Sequence, residues 1–309
     1  MMDQHLMTFQ FPGQGSQRVG MGKDLCARSP AAAAVFAQAD QVLGFPLSRL
    51  CFEGPPEALN DTANTQPAIL TASVAALRAL EEHLGQPAFV AGHSLGEFGA
   101  LVAAGTLTFE EALLLVQKRG QLMKQAGERT PGGMAAVIGL EATQVDECCA
   151  RARETNGGYV GIANDNCPGQ IVISGDEQTL QAGIEAVEAA GARKVVRLAV
   201  SIAAHSPLMA DAAAAFRRTL EKITIRPPKV PFVANATAGP LTDPDQIRGV
   251  LCRQLTSPVY WTDSVRWIIR QGVTYFVEVG PGEVLSGLLR RIDRGVERLV
   301  ATQVLALGT

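Results

Sequence analysis

The stretch Phe89-Val90-Ala91-Gly92-His93-Ser94-Leu95-Gly96-Glu97-Phe98-Gly99-Ala100 decides how the chain is read. Its apolar start reads as a buried strand, Gly92 to Gly96 as a tight turn, and the small residues beyond as a helix. At its centre, Gly92-x-Ser94-x-Gly96 is the pattern of a nucleophile elbow. A serine at a sharp strand-to-helix turn has a strained backbone, and its neighbours two positions away must be nearly free of side chain. The turn lifts the Ser94 hydroxyl into the open. It also sets the Leu95 N–H at a helix N-terminus, free to stabilise an oxyanion. The competing reading is an ordinary glycine-rich β–α turn, since the short pattern alone arises by chance in many chains.

A serine hydroxyl is a poor nucleophile at neutral pH and needs a base within hydrogen-bond reach, most often histidine. The chain has four histidines: His5, His83, His93 and His205. His5 falls in a frayed terminus, His83 on a solvated helix end, and His93 points away from its neighbour Ser94. Elimination leaves His205, flanked by small residues in Ser201-Ile202-Ala203-Ala204-His205-Ser206-Pro207. Its alternative is a hydrogen-bonded core histidine. No acidic residue has an evident claim to orient it, and a backbone carbonyl could do so instead.

A helix is expected over Phe109–Met123 with Thr108 as its cap. Ala112, Leu115, Val116, Leu122 and Met123 form its buried stripe, and Arg119 falls on that stripe. A guanidinium on an apolar face needs acceptors, because burying it alone is costly. Two accounts stand: an internal Arg–Glu pair or a side chain snorkelling to the surface, against a ligand carboxylate held by two parallel bonds.

Around this centre the chain is organised as α/β. Strands are expected at Met7–Phe11 and 88–92, and the region from Gly20 to Leu43 is helical with a break at Ser29-Pro30. Asn64 or Thr65 caps a helix that carries Pro67 in its first turn and runs to Leu84. Thr130-Pro131-Gly132-Gly133 is a linker signal. Beyond it, elements at Met134–Gly139, Ala142–Glu154, Gly158–Ala163, Gln170–Ser174, Glu177–Ala190 and Lys194–Leu198 give the order β-α-β-β-α-β of a ferredoxin-like unit. Asn164–Gly169 reads as a polar loop, facing a cleft or forming a plain turn. Further strands are expected at Val230–Asn235 and Tyr275–Val279, and helices after His205, at Thr262–Arg270 and at Val284–Ile292. Pro12-Gly13-Gln14-Gly15 lacks the Gly-Lys-[Ser/Thr] that closes a phosphate cradle.

Composition narrows the function classes. With 309 residues, 47% apolar and 18% charged, the chain supports a well-buried core. A net charge of −3 and 5% aromatics argue against a nucleic-acid binder. The six cysteines show no C-x-x-C pair and no histidine at ligand spacing, which predicts reduced thiols in a cytoplasmic protein and no metal site. No signal peptide or membrane span is expected, and nothing in the sequence asks for more than a monomer.

Taken together and in order, Pro12-Gly13-Gln14-Gly15-Ser16-Gln17, Gln66-Pro67-Ala68, Gly92-His93-Ser94-Leu95-Gly96-Glu97, Arg119-Gly120, His205, Gln254 with Pro258-Val259, and Glu278-Val279-Gly280-Pro281-Gly282 resemble the malonyl-CoA:acyl carrier protein transacylases. They resemble equally the acyltransferase components of polyketide synthases, over nearly the whole chain. The resemblance implies a large α/β-hydrolase-like domain with a parallel sheet, made of 1–130 and 201–309, and a small ferredoxin-like insertion at 131–200. It implies that Ser94 accepts the acyl group and His205 is base then acid, with a main-chain carbonyl near Gln254 holding its other nitrogen. The N–H groups of Gln14 and Leu95 would form the oxyanion hole. Arg119 would bind the malonyl carboxylate, with Gln66 and Asn166 lining the site. Substrates would be malonyl-CoA and the phosphopantetheine thiol of holo acyl carrier protein, with no cofactor beyond these. Arg217, Arg218, Lys222, Arg290, Arg291 and Arg294 are candidate contacts for an acidic carrier, or simply solvated faces. Ile202-Ala203-Ala204 before His205 and Phe98 after Glu97 depart from the more familiar patterns, which leaves acyl selectivity open. An acyl-carrier hydrolase and a non-catalytic docking protein are the readings from other classes.

Overall fold

Phe9 and Phe11 are buried, as are Val90 and Ala91, so the two strands that carry them lie inside a sheet covered on both faces. The structure, a computed structural model, describes residues 6–81, 83–301, 303 and 304; His5 lies outside them. Its strands, numbered along the chain, are β1 Leu6–Phe11, β2 Phe89–Gly92, β3 Gly132–Ile138, β4 Val160–Cys167, β5 Gln170–Asp176, β6 Lys194–Arg197, β7 Phe232–Ala234, β8 Gly239–Leu241, β9 Val259–Tyr260, β10 Val273–Glu278 and β11 Glu297–Val300. They form two sheets in a mixed α/β architecture. The larger is ordered β11-β10-β1-β2-β7-β8 and the smaller β6-β3-β5-β4-β9.

The large sheet is parallel from β11 to β7, with β8 antiparallel at its edge. Alternation along each strand sends side chains to opposite layers. On one side Phe9, Phe11, Val90 and Val277 pack under helices Thr62–Leu80, Gly96–Ala103 and Phe109–Arg129. On the other, Ala91, Val233 and Phe276 meet Trp261, Val265, Leu285 and Leu289 from helices Trp261–Arg270 and Val284–Ile292. In the small sheet, Ala135, Val137, Ile171 and Ile173 pack against helices Ala142–Asn156 and Glu177–Ala189. Its opposite face turns Met134 and Val172 into the main core.

Several elements differ from expectation. Helix Thr62–Leu80 is capped by Asp61, whose side chain accepts the Ala63 N–H at 3.0 Å, so Pro67 lies in the second turn rather than the first. Asn64 and Thr65 instead bond back to the carbonyls of Ala58 and Leu59. Phe109 starts a helix that runs to Arg129, with the expected cap at Thr108 in a capping box with Glu111. Asn164, Asp165, Asn166 and Cys167 are not loop but the second half of β4. That half pairs with β5 on one side and, in parallel, with β9 on the other. The small sheet therefore borrows a strand from beyond residue 200. Arg119 does not snorkel: it is 1% exposed.

Candidate active site

The elbow is built by close approach. A methyl at Gly92 would lie 2.0 Å from the Gly96 carbonyl carbon, and one at Gly96 would lie 2.0 Å from the Phe11 carbonyl oxygen. Ser94 takes φ +50°, an uncommon angle for a residue with a side chain, and the neighbourhood holds it there. Asn235, at the end of β7, does much of the holding. Its Oδ1 accepts the Ser94 N–H at 2.6 Å and its Nδ2 donates to the Gly92 carbonyl at 2.7 Å.

His205 reaches the same point from the other side, itself at φ +58°. Its Nε2 is 2.8 Å from Ser94 Oγ. Its Nδ1 faces the carbonyl oxygens of Gln254 at 3.1 Å and Ser257 at 3.0 Å. Both can only accept, so Nδ1 carries the proton and Nε2 presents its lone pair to the serine hydroxyl. Burial, and then the Arg119 charge, push the His205 pKa down to about 3, so the ring is neutral near pH 7.

Arg119 stands on the buried face of its helix because that helix crosses Thr62–Leu80 closely. A methyl at Gly120 would lie 2.6 Å from the Thr62 carbonyl oxygen. The guanidinium donates through Nε to Gln254 Oε1 at 2.9 Å, through Nη1 to Gln66 Oε1 at 2.9 Å and through Nη2 to Ser94 Oγ at 3.1 Å. A guanidinium has five N–H donors. These three bonds leave one N–H on each terminal nitrogen, an arrangement suited to an anion. Burial pulls the Arg119 pKa down to about 10, against the opposing charge of Glu97. Glu97 is buried too. Its carboxylate accepts the Asn235 main-chain N–H at 2.7 Å and a bond from Gln254 Nε2, while burial raises its pKa to about 7.

Ser94, His205, Arg119, Gln14 and Leu95 share one cavity of about 140 Å³, with His93, Met123, Met134, Asn164, Leu198, Val200, Ile202 and Ala204 as its other walls. Gln14 Nε2 donates to Thr62 Oγ1 at 3.3 Å. Leu95 precedes helix Gly96–Ala103, where the first N–H groups have no intrahelical acceptor. Asn166 does not line this cavity; its Oδ1 accepts from His93 Nε2 at 2.8 Å, across the junction of the two sheets. The basic residues stand apart. Arg218 and Lys222 line a separate groove of about 890 Å³ against helix Phe109–Arg129. Arg291 is tied to Gln170 Oε1 at 2.7 Å and the Pro168 carbonyl at 3.1 Å. No cluster of metal-ligating side chains occurs among the described residues.

Asn235, Ser257 and the buried carboxyl of Glu97 are not singled out by the sequence. Asn235 had a signal, a polar residue closing the apolar run Val230–Ala234. Glu97 had one too, since a buried Arg119 asks for a buried countercharge.

This geometry sets a histidine base against a serine hydroxyl and a guanidinium with free N–H groups beside them, around one cavity. Residues 8–304 match the family model described as acyl transferase domain. The malonyl CoA-acyl carrier protein transacylase of Bacillus subtilis (strain 168) is 43% identical over 296 residues, which are 96% of this chain and 93% of that protein. The solved malonyl CoA-acyl carrier protein transacylase of Coxiella burnetii superposes with a TM-score of 0.95 at 40% identity, covering 98% of this chain and 96% of that one. A malonyl-transacylase solved in complex with its type II PKS acyl-carrier protein gives a TM-score of 0.94 at 40% identity, covering 98% and 99%. The chain belongs to the acyl transferase domain family.

Proposed function

We propose that the protein transfers a malonyl group from malonyl-CoA to the phosphopantetheine thiol of holo acyl carrier protein through a malonyl-Ser94 ester. The observation that carries this reading is a buried guanidinium 3.1 Å from the Ser94 hydroxyl with one N–H left on each terminal nitrogen. A transacylase for an uncharged acyl group gains nothing from that arrangement; one for a dicarboxylic acyl group gains a charge-assisted pair.

In the first half-reaction His205 Nε2 takes the Ser94 proton as Oγ forms its bond to the thioester carbon. The N–H groups of Gln14 and Leu95 receive the developing oxyanion. The carbon–sulfur bond then breaks, and the imidazolium returns the proton to the departing thiolate of coenzyme A. In the second half-reaction the carrier's thiol loses its proton to His205, attacks the ester and displaces Ser94, which takes the proton back. Arg119 holds the distal carboxylate throughout, while Gln66 and Gln254 fix the guanidinium. The cavity walls favour a thiol delivered on a long arm over bulk water.

We infer also that residues 1–130 and 201–309 make an α/β-hydrolase-like domain and that 131–200 is a ferredoxin-like insertion in it. Two facts support this. The segment runs β3, helix, β4, β5, helix, β6. Its two ends also return to one place, since a methyl at Gly127 would lie 2.4 Å from the Ser201 carbonyl oxygen. A cytoplasmic setting suits the substrates and the six free thiols.

The test is intact-mass analysis after incubation with malonyl-CoA, then with holo carrier protein. The expected result is a malonyl adduct on Ser94 that the carrier discharges. Release of free malonate without transfer would make the protein a hydrolase. An unmodified protein would make it a docking protein.

A further inference from the structure

Glu97 is 2% exposed, and the steps above do not use it. A carboxylate is kept in such a place only where donors meet its oxygens. Here the donors are two. Oε1 accepts the main-chain N–H of Asn235 at 2.7 Å, and Oε2 accepts from Gln254 Nε2.

The second bond matters because of what Gln254 does with its other end. A glutamine amide fits a site almost equally well either way round, and only its partners choose. With Nε2 directed at Glu97 and at the Ser94 carbonyl, 3.0 Å away, Oε1 is the end turned toward Arg119 Nε at 2.9 Å. Turned over, the amide would set N–H against N–H at the guanidinium and leave Glu97 facing an oxygen. The Ser94 carbonyl also favours the observed orientation, but a charged acceptor holds an amide more firmly than a neutral one.

We propose that Glu97 is a positioning residue for the acyl group's carboxylate: it fixes the Gln254 amide, and through that amide the direction of the Arg119 guanidinium. The proposal rests on the reading of Arg119 as the carboxylate's partner. Where it is ionised, above about pH 7, Glu97 also provides the negative charge that makes a buried Arg119 tolerable before the substrate arrives, with one amide between the two ions. The substrate carboxylate then adds to a guanidinium already aimed, and no reorganisation is needed on binding.

The test is Glu97→Gln, which keeps size and removes charge, assayed with malonyl-CoA and acetyl-CoA as donors to holo carrier protein. The expected result is a rise of roughly tenfold in KM for malonyl-CoA, with a much smaller change for acetyl-CoA. The preference for malonyl therefore falls by about the same factor. In an Arg119→Ala background the same substitution should alter malonyl kcat/KM by less than about threefold, because its effect runs through Arg119. Equal losses with both donors, or effects of the two substitutions that simply multiply, would overturn the proposal. Should Glu97→Gln fail to fold, the double variant with Arg119→Ala decides. Recovery of folded protein supports the paired charges, and failure of both overturns the pairing. A wild-type protein that never forms a malonyl adduct on Ser94 overturns the proposed function, and this proposal with it. A wild type that forms the adduct beside an unselective Glu97→Gln result overturns this proposal alone.

Discussion

Arg119 and His205 are both buried beside one cavity, and each alters what the other can do. The Arg119 charge adds to burial in holding the His205 pKa down to about 3. On the proposed role of Arg119, a carboxylate docked there would cancel that charge and make His205 more basic with a malonyl donor bound than with an acetyl donor. A more basic histidine is protonated, and lost as a base, at higher pH. The acid-side fall in kcat should therefore begin at higher pH with malonyl-CoA than with acetyl-CoA, and parallel pH–rate profiles for the two donors measure the difference. Arg119→Ala should lower malonyl transfer by roughly one to two powers of ten, the worth of about 1.5–3 kcal/mol for a charge-assisted contact, while sparing acetyl transfer or raising hydrolysis. Equal loss with both donors would refute that role. Asn235→Ala strips a partner from both the Ser94 N–H and the Gly92 carbonyl. It should cost about 1–3 kcal/mol of stability in denaturant titration and slow acylation with either donor alike.

At the level of elements, the crossing of helices Thr62–Leu80 and Phe109–Arg129 brings Gln66 to Arg119, and Gly120 lets the two backbones meet. Gly120→Ala should destabilise by about 1–3 kcal/mol through overpacking and raise KM for malonyl-CoA by shifting the guanidinium; denaturation and steady-state kinetics check both effects. These features were legible in the sequence where a local steric rule governs them. Gly92 and Gly96 flank a serine because nothing larger fits, and Arg119 was visible because a helical period exposes a charge set on an apolar stripe. The polar run Asn164-Asp165-Asn166 was misread because its strand state is decided elsewhere. β5 and β9 supply its ladder, while His93 and Thr262 engage the Asn166 and Asp165 side chains. The start at Thr62 is not legible locally because several nearby residues can cap a helix; Asn64 and Thr65 turn their side chains to the Ala58 and Leu59 carbonyls, and Asp61 accepts the Ala63 N–H.

Across the whole molecule the two sheets are not independent. β9 follows Pro258, far along the chain, yet it completes the sheet begun at β3, and helices Trp261–Arg270 and Val284–Ile292 pack beside β4. Thermal unfolding should accordingly show one calorimetric transition with matching calorimetric and van't Hoff enthalpies; two resolved transitions would mean that the sheets melt separately. No local pattern announces such a pairing of distant strands, which is why the small unit looked self-contained in the sequence. The cavity between the sheets has its own consequence for inhibitor chemistry. At about 140 Å³ it lies below the roughly 300–1,000 Å³ of sites that take drug-sized molecules. A covalent inhibitor built for this protein should therefore be a compact electrophile bearing an acid group, with its selectivity drawn from the serine–arginine spacing and any bulk kept outside the mouth.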